Sequence, residues 1–128
     1  AMDARRHQIY NARFQVDGQC PRRLTPDRAI SLDDLVQELA GTQTPQLVVG
    51  DGAQLCYDAL TAAGIPAVLA PPNLRMQSAW GVARQALALA QAGQTLSPAQ
   101  LVPVYHRLSQ AERERLEREQ AAQTPHPQ

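Results

Sequence analysis

The apolar positions change period along the chain, and the change divides it into a first part of strands and a second part of alternating strands and helices. Residues 9–16 alternate, with Tyr10, Ala12, Phe14 and Val16 on one side and Asn11, Arg13 and Gln15 on the other. A period of two predicts a strand with one covered face. Asp17-Gly18 supplies turn chemistry, and residues 22–30 read as a second extended stretch. Pro26 within it has no N–H for a ladder, so this strand belongs at a sheet edge. From Ser31 the period becomes helical. Ser31 and Asp34 form a capping pair, Leu32, Leu35, Val36 and Leu39 make the stripe, and Gly41 ends it. Residues 46–49 and 67–69 are short apolar runs, predicted as strands buried on both faces. Gly50-Asp51-Gly52 turns the first of these into a helix over about 53–63 that stops at Gly64. After Pro71-Pro72, Asn73 is predicted to cap a long helix reaching Gly93, with Met76, Ala79, Trp80, Ala83, Leu87 and Ala90 on its core face.

A further strand is predicted at the very start, in residues 1 to about 5. The opening lies in an extended, half-apolar segment, so residue 1 is expected within or beside that strand, with natural sequence before it. The order is then β-β-β-α-β-α-β-α, the pattern of an RNase H-like α/β half-domain. Right-handed crossovers give one mixed five-stranded sheet of order 3-2-1-4-5, with the proline-bearing third strand at the edge. A central strand of so few residues leaves neighbouring backbone groups to satisfy. It is expected to be short, or completed by a neighbouring chain. Residues 1–108 make this half-domain. Residues 109–121 follow as an exposed charged helix, started by Ser109 with Glu112 and poor in apolar residues, and 122–128 as a disordered tail.

Composition narrows the function. The 128 residues carry 12 basic and 12 acidic side chains. Zero net charge argues against direct nucleic-acid binding, which draws on a basic excess. No apolar run is long enough to span a bilayer and no charged-then-apolar leader opens the chain, so a cytoplasmic protein with no membrane contact is expected. Cys20 and Cys56 match no metal or redox spacing; Cys56, in a helical apolar pattern, is expected buried and free.

Candidate chemistry is sparse. A metal-dependent nuclease on this fold would use Asp3 on the first strand, Asp51 after the fourth, and Asp34 or Glu38 on the first helix. The plainer expectation is that Asp51 caps its helix and Asp3 pairs with Arg5 or Arg6. Gly50-Asp51-Gly52 stands where a nucleotide would approach, but a carboxylate there repels phosphate. His7, in a turn, His106 and His126 form no ligand pair, and no nucleophile motif occurs. No catalytic, cofactor-binding or metal-binding residue is assigned, and no cofactor is expected.

Two phrases carry more. Asp3-Ala4-Arg5 with Tyr10 opens the chain, and Pro103-Val104-Tyr105-His106-Arg107 closes its folded part. In this order and spacing they resemble the second half of the TsaB family, formerly grouped with glycoproteases. The resemblance covers residues 1 to about 115. It implies a non-catalytic half-domain of the actin-like ATPase superfamily. Its full-length relatives support the catalytic subunit TsaD, with the ATPase TsaE, in making N6-threonylcarbamoyladenosine at position 37 of tRNA. The family's first half, with its Asp-Thr-Ser and Gly-Pro-Gly-Ser-Phe-Thr-Gly segments, is not in this sequence. An uncovered face would seek a partner, so a homodimer is a candidate state. Tyr105 and Arg107 are expected to pin the returning segment to the domain. The alternatives are the nuclease using Asp3 and Asp51, and a nucleotide-binding or peptidase-like enzyme.

Overall fold

The computed structural model describes residues 1–18, 21–106, 115 and 118. They form a mixed α/β unit. Strands β1 (Met2–Asp3), β2 (Gln8–Asn11), β3 (Phe14–Gln15), β4 (Arg22–Arg23) and β5 (Arg28–Ser31) lead into helix α1 (Leu32–Leu39). Strand β6 (Gln46–Val48), α2 (Ala53–Ala62), β7 (Ala67–Leu69), α3 (Pro72–Arg75) and α4 (Ala79–Gln91) follow.

The strands form three small sheets, not one of five strands. β1, β2 and β5 make an antiparallel sheet in that order, β3 and β4 a separate hairpin, and β6 and β7 a parallel pair. The expected second and third strands are each broken once. Leu24 and Thr25 both donate their N–H to the Arg13 carbonyl, and the Arg13 N–H turns to Thr25 Oγ1 at 2.9 Å. With Pro26 offering no N–H beside them, the ladder cannot run through. β5 still lies at the edge of its sheet, as Pro26 predicts. β1 contributes only two ladder residues, Met2 opposite Tyr10 and Asp3 opposite Ile9. One residue earlier, Ala1 bonds to Val49, just past β6.

The capping of α1 follows the sequence. Ser31 Oγ accepts from the Asp34 N–H at 3.0 Å and donates to Asp34 Oδ2 at 2.6 Å. Gly41, past the last turn, takes a positive φ of 78°, which a side chain would strain. Leu32, Leu35 and Leu39 are buried, joined by Ile9, Val48, Cys56 and Leu60 in one core between the helices and the strands. Burying each such side chain contributes about 1.5–3 kcal/mol.

Three expectations are corrected here. The phase of the second strand is reversed: Ile9, opposite Ile30, is the fully buried residue, while Phe14 and Val16 are exposed. β6 and β7 are covered on one face only, by the helices, and the opposed pair Leu47 and Val68 stays exposed on the other. The long helix splits. Pro72 occupies the first turn of α3 with Asn73 inside it, and Ser78 Oγ caps α4 by accepting from the Gly81 N–H at 3.1 Å. Trp80 is 69% exposed and no residue of α4 is buried, so its apolar side is not a core face among the described residues.

Candidate functional site

Chemistry and close packing converge where β1 meets the turn after β6. The Ala1 amino group donates to the Val49 carbonyl at 2.6 Å, and the Gly52 N–H donates to the Ala1 carbonyl at 3.2 Å. Burial pushes the Ala1 amino group below its ordinary pKa, against the opposing pull of Cys56 and Asp51. The same burial raises the Cys56 thiol, which is free as expected. A Cβ on Gly50 would collide with the Ala1 carbonyl, and Gly50 sits at φ 103°. A Cβ on Gly52 would stand 2.8 Å from the Asp3 nitrogen. These glycines therefore make room for the first strand. Ala1–Asp3 fills the space that their missing side chains leave.

The two aspartates of the nuclease expectation touch through the backbone of one and the side chain of the other. The Asp3 N–H donates to Asp51 Oδ1 at 3.3 Å, so Asp51 holds the first strand and does not cap α2, whose cap residue is Gly52. The Asp3 carboxylate is occupied by the Arg5 N–H at 2.7 Å and the Arg5 guanidinium at 3.2 Å. Asp34 is held by Ser31. Glu38 is clamped between Arg13 at 2.8 Å and Arg28 at 2.6 Å. Burial alone would raise the Glu38 carboxyl, but the hydrogen bonds from these two guanidinium groups outweigh it and hold it below its ordinary range. Among the described residues no three His, Cys, Asp or Glu side chains gather to hold a metal ion.

Ala4 is buried beside the junction, and Arg5 starts a turn in which Arg5, Arg6 and His7 all have positive φ, 62°, 52° and 61°. That turn places His7 beside Asp33 at 3.9 Å, where both are exposed. Of the closing motif, Val104, Tyr105 and His106 line the cavity beside the junction. Tyr105 is 85% exposed and is no buried anchor: the described segment leaves its ring in solvent. Pro103 belongs to the same exposed stretch. Arg107, Cys20, His126 and the helix from Ser109, apart from Arg115 and Arg118, lie outside the described residues.

Beside the junction opens a cavity of about 1220 Å³. Its walls are the run Tyr10–Val16 and the run Thr44–Val49; Leu35, Leu39 and Leu60 form its apolar floor. The sequence pattern does not reveal it, because both walls read as ordinary strands. Arg13 Nε, buried and without an acceptor among the described residues, belongs to a residue of this wall.

No protein-family model matches the chain, and no curated protein matches it. No helix among the described residues is long and apolar enough to cross a membrane.

Proposed function

We propose that this chain is a non-catalytic RNase H-like half-domain of the TsaB type, a partner subunit in tRNA threonylcarbamoyladenosine synthesis. The observation that carries the reading is the run of neighbours β5, β2, β1, continued through the Ala1–Val49 hydrogen bond to β6 and β7. That run of neighbours supports the reading, although the strands form three separate small sheets. The motif residues Asp3, Ala4, Arg5 and Tyr10 lie at or next to that junction, which suits an architectural role. Engagement of Asp3 by Arg5, and of Glu38 by two arginines, favours structure over catalysis. The reading brings with it a cytoplasmic location and TsaD- and TsaE-type partners.

The test reconstitutes the whole activity. A first half-domain bearing the Asp-Thr-Ser and Gly-Pro-Gly-Ser-Phe-Thr-Gly segments is mixed with TsaD- and TsaE-type proteins and unmodified tRNA. Addition of this chain should restore N6-threonylcarbamoyladenosine formation. Synthesis that never depends on the chain overturns the proposal.

The approach of Asp51 to Asp3 favours one second reading, a magnesium-dependent nuclease. It requires cleavage of a nucleic acid that Asp3→Asn abolishes.

A further inference from the structure

Asp-Gly occurs twice in the chain, at Asp17-Gly18 and at Asp51-Gly52, and the fold treats the two unlike. Glycine has no Cβ to shield its amide nitrogen from the side chain before it. The carboxyl of the aspartate is then open to attack by that nitrogen, provided the nitrogen is unbonded, the carboxyl can rotate and the backbone can turn. Every other aspartate precedes a residue that carries a side chain.

Asp51-Gly52 is closed to this reaction. Gly52 is buried, and its N–H donates to the Ala1 carbonyl at 3.2 Å. Asp51 Oδ1 accepts from the Asp3 N–H at 3.3 Å. The Gly52 carbonyl accepts from the Cys56 N–H at 3.2 Å, so both sides of the residue are held. A Cβ on Gly52 would stand 2.8 Å from both the Asp3 nitrogen and the Met2 carbonyl carbon, which leaves the segment no room to turn.

Asp17-Gly18 is open. Both residues are exposed just past β3, and a Cβ on Gly18 would meet nothing within 4 Å. Among the described residues neither the Gly18 N–H nor the Asp17 carboxylate has a hydrogen-bond or ion-pair partner. The ladder beside them is two residues long, Phe14 opposite Arg23 and Gln15 opposite Arg22, so little restrains the backbone.

We propose that Asp17 is a site of spontaneous isoaspartate formation. The Gly18 nitrogen attacks Cγ of the protonated Asp17 carboxyl. An N–Cγ bond forms, the Cγ–OH bond breaks, and the amide proton leaves with the hydroxyl as water, closing a succinimide. Water then adds to one of the two ring carbonyls. Opening at Cγ restores aspartate. Opening at the α-carbonyl leaves Gly18 joined through Cγ and frees an α-carboxylate. The main chain gains one carbon between β3 and β4, away from the core residues, so the fold accommodates the product. The freed α-carboxylate is the group that an isoaspartyl methyltransferase esterifies from S-adenosylmethionine, which names the class of enzyme that acts on the aged chain. The inference rests on one exposed turn and not on the role in tRNA modification, so either can fail alone.

The unaltered chain is aged in mildly acidic buffer below its melting temperature, beside a sample unfolded in urea. After digestion, peptides of unchanged mass and altered retention are assigned by electron-transfer fragmentation. In the folded chain isoaspartate should accumulate at Asp17 at least about tenfold faster than at Asp51, a ratio equivalent to about 1.4 kcal/mol of local opening at Gly52. In urea the two rates should converge. Asp17→Glu, which can close only a larger and slower-forming ring, should bring methyl transfer to the aged folded chain down to background. Equal rates in the folded chain, a difference that persists in urea, or methyl acceptance unaffected by Asp17→Glu overturns the proposal.

Discussion

The Gly52 N–H donates to the carbonyl of Ala1 at 3.2 Å, so the turn after β6 lies directly against the first residue of the chain. No side chain fits between them. Gly52→Ala is expected to cost on the order of 1–3 kcal/mol by overpacking. Gly50→Ala should cost more, because it adds a positive φ to a collision with backbone. Gly64→Ala, with φ 72° but open space around it, should cost only about 1 kcal/mol. Urea unfolding of the three variants gives the ranking, and equal midpoints for all three would refute the close approach.

The turn joining β1 to β2 offers a gain. Arg6 holds a left-handed conformation at φ 52°, unfavourable for an L-residue by about 1–2 kcal/mol. Arg6→Gly removes that cost and adds some unfolded-state entropy. A net stabilisation of roughly 0.5–1 kcal/mol follows. A lower melting temperature than the parent's would contradict it.

Glu38 ties α1 to β5 through Arg28 and to the connection between β2 and β3 through Arg13. Its folded-state pKa lies below its unfolded value, near 4.5. The stability it contributes is therefore complete above that value and lost as the pH falls through the depressed one. Partial exposure keeps the effect small. Glu38→Gln should lower stability at pH 7 by about 0.5–1 kcal/mol and flatten the acid limb of the stability profile. Unfolding midpoints between pH 3 and 7 check both, and a parallel downward shift at every pH would contradict the assignment.

Exposure separates two aromatic residues from the core. Trp80→Ala and Tyr105→Ala should each change stability by less than about 0.5 kcal/mol. Leu60→Ala, fully buried beside Cys56, should cost about 2–5 kcal/mol. Comparable losses at Trp80 and Leu60 would mean that α4 is packed in solution.

Features set by near neighbours were legible before any coordinates. The Ser31 cap, the Leu32–Leu39 stripe and the Gly41 stop need contacts only a few residues apart, so spacing reveals them. Pro26 at an edge is equally local, since a missing N–H is a property of the residue itself. The reversed phase of β2 was not legible. Ile9 and Tyr10 suit either face, and the choice rests on Ile30 across the ladder and Leu35 beneath. The assignment of Trp80 to a core failed because an apolar stripe shows what a helix can cover and not whether anything lies there. The Glu38 clamp was missed because Arg13, Arg28 and Glu38 come from three separate segments: the connection after β2, β5 and α1.

The order of strands and helices, the capping of α1, the edge position of the third strand and the neutral charge balance belong to the sequence alone, because each follows from residue chemistry and short-range spacing. Tertiary structure decided the use of Gly50 and Gly52, the division into three small sheets, and the cavity between Tyr10–Val16 and Thr44–Val49. Those depend on segments well separated along the chain arriving side by side, and no local pattern encodes the distance left between them.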